Sequence, residues 1–169
     1  YVFNNCSSLT SLNLSGFVTS EVTNMKCMFK DCSGLTSIDV SGFNTSKVTD
    51  MDYMFSNATQ LTSLNLSNFN TSNVTTMRNM FANLNKITSL NLEKFDTKNV
   101  IEMNYMFQGC KSFNQDISNW NVSKVKYVNG MFQYCKSFNK PLNDWNMSEV
   151  KDMFYMFSGC DSFNQPLNN

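Results

Sequence analysis

The sequence predicts a repeat solenoid, in which one short unit recurs and each copy stacks on the one before. Three observations predict it. An apolar marker returns at a nearly fixed interval, and the apolar positions around it keep constant offsets. One unit is also too short to close a core alone, because ordering its backbone costs more than its few buried side chains return. The marker is Met-Phe, at Met28-Phe29, Met54-Phe55, Met80-Phe81, Met106-Phe107, Met131-Phe132 and Met156-Phe157, with Val2-Phe3 leading. From Phe to Phe the intervals are 26, 26, 26, 26, 25 and 25 residues.

After each marker comes a strand-like half. It reads Leu35-x-x-Ile38-x-Val40-x-x-Phe43, and the same spacing starts at Leu9, Leu61 and Ile87. Alternation of this kind points every second side chain inward. Segments near Leu12, Ile38, Leu64 and Leu90 are therefore predicted to form one parallel sheet, since successive units run in the same sense. In later copies the half becomes Phe113-x-x-x-Ile117-x-x-Trp120 and Phe138-x-x-x-Leu142-x-x-Trp145, with one residue lost and Trp closing the motif.

Before each marker comes Val48-x-x-Met51-x-x-Met54-Phe55, repeated from Val22, Val74, Val100, Val125 and Val150. Steps of three, three and one place these groups on one face of a short helix, which the Ser46 hydroxyl is positioned to cap. The alternative is a short second strand at Val-Thr-x-Met, leaving only Met-Phe and its neighbours helical. The predicted fold is thus a parallel β-sheet on one face with short helices or short second strands on the other. Residues 1–169 form a single solenoid of six units plus partial ends. Tyr1-Val2-Phe3 matches Tyr53-Met54-Phe55, and Pro166-Leu167-Asn168 matches Pro141-Leu142-Asn143. Both ends fall inside a unit and carry no cap sequence, so the chain is expected to be a piece of a longer repeat region.

Composition narrows the function. The 13 basic and 13 acidic residues balance, and no clustered basic stripe offers the counterion release that nucleic-acid binding needs. No apolar run is long enough to span a membrane as a helix. Histidine is absent, which removes the imidazole base of a triad and the Cys/His zinc sites. Neither a Gly-rich phosphate loop nor a distinctive acid pair is present. The expectation is a protein without catalysis, cofactor or metal.

Four sets of residues stand out as candidates. Cys6, Cys32, Cys110, Cys135 and Cys160 each lie three residues after the marker, where other copies place Ala58 and Leu84. A position that accepts Cys, Ala or Leu is a small buried apolar site, so reduced thiols are expected there, with Cys27 outside the column. A disulfide ladder is the sharper alternative, since stacking brings equivalent residues close. The 12 methionines sit mostly at fixed core offsets and are expected to be buried, as are all of Phe29, Phe55, Phe81, Phe107, Phe132 and Phe157.

On the strand side, the outward column reads Asn13, Asp39, Asn65, Asn91 and Asp116, then Pro141 and Pro166, flanked mainly by serines. It serves either to recognise a polar partner or to solubilise the strand array through side-chain hydrogen bonds. The fourth set is Phe154 with Tyr155. Phe154 is apolar where other copies carry Lys26, Asp52, Arg78, Asn104 and Asn129, so the pair is either an exposed contact or packs on a neighbouring coil. The numerous Asn-x-Ser/Thr triplets, such as Asn44-Thr45-Ser46, follow from composition alone.

Units reading Met-Phe-x-x-Cys-x-x-Leu-Thr-Ser-Leu-x-Leu-Ser-x-Phe-Asn-Thr-Ser-x-Val-Thr-x-Met resemble BspA-type leucine-rich repeats. They are closer still to the repeat of unknown function common in mycoplasma surface proteins and lipoproteins. Residues 112–123, Ser-Phe-Asn-Gln-Asp-Ile-Ser-Asn-Trp-Asn-Val-Ser, look like that family's other spelling. The resemblance covers the whole chain. It implies a leucine-rich-repeat-like fold and a bacterial protein at the cell surface or secreted, often adhesive. Its partner would be a protein or glycan on a host or cell surface. A passive spacer without a ligand is the alternative.

Overall fold

In the computed structural model, residues 1–167 are described, and each unit closes one coil that stacks on the next. The marker phenylalanines form one row. From Phe3 through Phe29, Phe55, Phe81, Phe107 and Phe132 to Phe157, successive ring centroids lie 5.5, 5.5, 6.2, 5.6, 5.8 and 5.7 Å apart. Their planes are within 18° of parallel, the offset stacking that aromatic quadrupoles favour. Phe29, Phe55, Phe81, Phe107 and Phe132 are completely buried, as predicted. Phe157 is only half-buried, against expectation, because it lies in the last coil of the described residues.

The segment that carries the marker is not a helix. In an α-helix each N–H bonds four residues back along its own segment. Here alternate N–H groups leave the segment and bond to the next coil. Met51 donates to Thr76 O (3.1 Å), Tyr53 to Arg78 O (2.7 Å), Phe55 to Met80 O (2.9 Å) and Asn57 to Ala82 O (2.8 Å). The N–H groups between them close three-residue turns: Met54 to Met51 O, Ser56 to Tyr53 O and Ala58 to Phe55 O. Two left-handed residues per unit make the alternation possible. One lies two residues before the marker, as in Cys27, Tyr53, Asn79, Tyr105, Gly130 and Tyr155, with φ between 54 and 58°. The other lies two residues after it, as in Asn5, Asp31, Asn57, Asn83, Gly109, Tyr134 and Gly159, with φ between 60 and 73°. Such residues cannot continue a right-handed helix. Ser46 therefore caps nothing; its own N–H is accepted by Asn44 Oδ1 at 3.0 Å.

The second-strand alternative fits better at one point. Asn24, Asp50, Thr76, Glu102, Tyr127 and Asp152 form an unbroken run of single parallel bridges across six coils. On the other side, the expected four-strand sheet is reduced to two short strands. These are β1 (Ser63–Leu64) and β2 (Ser89–Leu90), paired in parallel with Ser63 opposite Ser89. Segments at Leu12 and Ile38 do not enter it, and both side chains are only partly buried. Beyond β2 the lost residue changes the register. Gln115 Oε1 then accepts the Leu90 N–H at 3.2 Å, and a side chain closes the sheet edge.

A buried threonine column completes the interior. Thr19, Thr45, Thr71 and Thr97 are each at most 5% exposed. Thr71 Oγ1 donates to Asp96 O (3.0 Å) and accepts from Asp96 N–H (2.8 Å), and Thr45 and Thr19 repeat the pattern one and two coils earlier. One hydroxyl so satisfies two backbone groups that burial would leave unpaired. The column changes to Val122 and Met147 where tryptophan replaces the closing phenylalanine.

Candidate functional site

Asn13, Asp39, Asn65, Asn91 and Asp116 all reach solvent on the side of the coil that follows the marker. They are not free polar groups. Asn13, Asp39, Asn65 and Asp116 accept the N–H two residues ahead, from Ser15, Ser41, Ser67 and Ser118, at 2.9–3.1 Å. Each closes a small turn with its own side chain. Asn91 faces Glu93 at that place and makes no such bond among the described residues. Hydrogen bonds from Ser41 hold the Asp39 carboxyl below the usual carboxylate range, and those from Ser118 do the same for Asp116. The result is a row of short polar groups held in one geometry. Between Asn13 and Asp39 it dips into a hollow of about 270 Å³ that Leu12, Ser15 and Phe43 help to line.

Phe154 and Tyr155 stand apart, on the segment before the last marker, with 71% and 66% of their surface exposed. The column that ends in Phe154 begins as a charge ladder of Lys26, Asp52 and Arg78, which sequence reasoning missed. The Asp52 side chain is completely buried. Arg78 Nε (2.8 Å) and Nη2 (2.7 Å) donate to its Oδ2, while Arg78 N–H and the Thr76 hydroxyl donate to Oδ1. Lys26 Nζ lies 3.6 Å away on one side, and Arg78 continues to Glu102 at 3.3 Å on the other. A buried carboxylate persists only when paired and hydrogen-bonded in this way. The legible signal was the order Lys26, Asp52, Arg78 at one offset in successive units. This ladder ties successive coils together through side chains of which only Asp52 is fully buried.

The six cysteines are free thiols. Within the column, the thiols of Cys32, Cys110, Cys135 and Cys160 donate to the marker carbonyl of the preceding coil. Their partners are Phe3 O (3.1 Å), Phe81 O (3.0 Å), Phe107 O (3.0 Å) and Phe132 O (2.8 Å). Burial pushes the Cys110 thiol up to about 12 and the Cys160 thiol up to about 11, and raises Cys135 further. Thiols of this kind are poor nucleophiles and poor metal ligands. Among the described residues, no cluster of three or more His, Cys, Asp or Glu is placed to hold a metal ion. No helix among them is long and apolar enough to cross a membrane.

An apolar hollow of about 700 Å³ opens on the last described coil beside Leu142, Trp145, Met147, Met153 and Met156. Trp145 is anchored there by its indole N–H, which donates to Ile117 O at 3.1 Å. The equivalent group of Trp120 is buried and has no partner among the described residues.

Comparison with known proteins adds the following. No protein of curated function matches the sequence significantly. Among solved structures, a leucine-rich repeat protein from Bacteroides ovatus is similar over 96% of this chain and 55% of its own, with 18% identity and a TM-score of 0.46. The chain thus spans about half the length of that protein. A family model matches twice, over residues 1–89 and 61–169. Overlapping matches of that extent cover every coil, and the chain belongs to the family described as Mycoplasma protein of unknown function, DUF285.

Proposed function

We propose that this repeat array is a non-enzymatic interaction scaffold of a bacterial surface or secreted protein, binding a protein or glycan on a host or cell surface. The observation that carries the proposal is the locked polar row. Asn13, Asp39, Asn65 and Asp116 are exposed and fixed by their own turns, so a partner meets donors and acceptors that are already ordered. Preorganisation of this kind lowers the entropic cost of binding. Repetition adds to it, because weak contacts on successive coils combine through effective concentration. The location follows from the family resemblance.

The same turns favour a second reading. A row whose oxygens are already engaged also suits a passive spacer. Two double variants separate the candidate faces: Asn65→Lys with Asn91→Lys, and Phe154→Ser with Tyr155→Ser. Each is checked for native circular dichroism, then assayed against bacterial envelope, host-cell surfaces and glycan arrays. Loss of binding in only the first pair identifies the polar row as the working face, and loss in only the second identifies the aromatic edge. Absence of binding by the unaltered array to every target leaves the spacer reading in place.

A further inference from the structure

The chain changes its repeat length once, and the change falls inside the stack. From Phe81 to Phe107 the interval is 26 residues and from Phe107 to Phe132 it is 25, so the strand halves 84–97 and 110–121 belong to different variants of the unit. The coil pair before this junction is tied on the strand side by Thr88 N–H to Thr62 O (2.9 Å), by the β1–β2 pairing and by both bonds of Thr71. The pair after it is tied by Ser137 N–H to Lys111 O (3.1 Å), by Asn139 N–H to Asn114 Oδ1 (3.0 Å) and by the Trp145 indole to Ile117 O.

Across the junction itself, no backbone-to-backbone bond links the two strand halves among the described residues. Two side chains stand in. Gln115 Oε1 accepts from Leu90 N–H (3.2 Å), and Thr97 Oγ1 donates to Asn121 O (2.9 Å). The return bond that Thr45 and Thr71 accept from the following coil has no counterpart at Thr97 among the described residues. Residues 33–46 and 59–72 also lack a backbone bond on this side, but there Thr45 makes both its bonds and Asn68 Nδ2 donates to Ser41 O at 2.6 Å. The Trp120 indole marks the misfit. Its ring stacks on Phe95 with centroids 6.1 Å apart, yet its N–H is buried and meets no acceptor among the described residues. A buried donor without a partner penalises the closed arrangement. The opposite edge is continuous. Phe81 N–H donates to Met106 O and Phe107 N–H to Met131 O, both at 2.9 Å, and the single parallel bridges run from Thr76 through Glu102 to Tyr127.

We infer that this junction is a hinge: the strand halves 84–97 and 110–121 part about the intact marker edge, and the array flexes there as two blocks. Opening brings the Trp120 N–H to solvent, which meets its bond, and gives up the Leu90–Gln115 and Thr97–Asn121 bonds and the Phe95–Trp120 stack. Bending at this point changes the spacing between Asn91 and Asp116 and leaves the rest of the polar row fixed, so the row fits surfaces of more than one curvature. The inference rests on the fold and not on the partner proposed for that row.

The test is native-state hydrogen exchange of the 169-residue chain in sub-denaturing urea, read by NMR at the Trp120 indole and at backbone amides. The Trp120 indole and the Leu90 amide are expected to share one opening reaction with a weak dependence on urea, because the opening exposes little surface. Thr88 lies two residues from Leu90 but inside one block, and Phe107 lies on the hinge edge. Both amides should be at least about tenfold better protected and strongly urea-dependent. Gln115→Ala should speed exchange at the Trp120 indole and Leu90 together and leave Thr88 and Phe107 unchanged, which also shows that the variant is folded. If the Trp120 indole of the unaltered chain exchanges only along with Phe107, the inference is overturned. It is overturned as well if Gln115→Ala speeds Leu90 but not Trp120, or speeds all four alike, since the strand halves then do not part as a separate unit.

Discussion

The cysteine column is where a single residue type decides chemistry. A thiol buried among apolar groups is held in its neutral form. For Cys110 this moves the ionisation from its ordinary 9.0 to about 12. Raising the pH ionises the unfolded chain first, so the unfolded state then binds fewer protons than the folded one. Stability is therefore complete below about pH 9 and falls as the pH climbs toward 12, at up to about 1.4 kcal/mol per pH unit for each such thiol. Cys110→Ala removes this contribution. Urea unfolding at pH 7.5 and about pH 10.5 should show a smaller alkaline loss in the variant than in the parent, and equal losses would remove the thiol from the account. Ala58 already fills the same offset two coils earlier and is fully buried, so the substitution has a precedent within the chain. That mixture of Cys, Ala and Leu made the column legible as core from the sequence.

At the scale of the element, the marker segment shows where sequence reasoning stops. Its apolar offsets were read correctly as one inward face, yet a helix and this ribbon of turns share that periodicity. What separates them is the sign of φ at two positions. The position after the marker was readable, since Asn5, Asp31, Asn57, Asn83, Gly109 and Gly159 are residues that tolerate left-handed geometry. The position before it was not, because Tyr53, Tyr105 and Tyr155 give no such signal. The structure supplies the reason why Gly130 breaks that column. The Tyr105 ring lies over it, and a Cβ on Gly130 would sit 2.4 Å from two ring carbons. Gly130→Ala should therefore cost stability twice, about 1 kcal/mol for left-handed backbone plus the cost of displacing the ring. In a Tyr105→Ala background only the backbone part remains. A double-mutant cycle by chemical denaturation measures the difference, and simple additivity would show that the ring yields freely. The polar row was legible as exposed, but its side-chain turns were not, because an Asn that points outward and an Asn that closes a turn occupy the same sequence position.

For the whole molecule, stability is shared between neighbours, since each coil touches only the coils on either side. Central coils are supported twice and terminal coils once. Hydrogen exchange on the 169-residue chain should find Phe55, Phe81 and Phe107 amides slowest and those of the last described coil, Met153, Tyr155, Phe157 and Gly159, fastest. Uniform protection would mean that the array unfolds as one indivisible unit. The uniform sense of the marker-segment hydrogen bonds has a further consequence. From Phe3 to Phe132 every marker N–H points toward the following coil and every accepting carbonyl toward the preceding one. Each peptide carries a dipole of about 3.5 D, and dipoles aligned in one direction add. Along this edge the stack is an electret, positive toward its C-terminal coil and negative toward its N-terminal one. The formal charge is zero, so this edge carries a field that a count of charges does not reveal, offset in part by the columns through Thr49 and Thr88, whose N–H groups point toward the preceding coil.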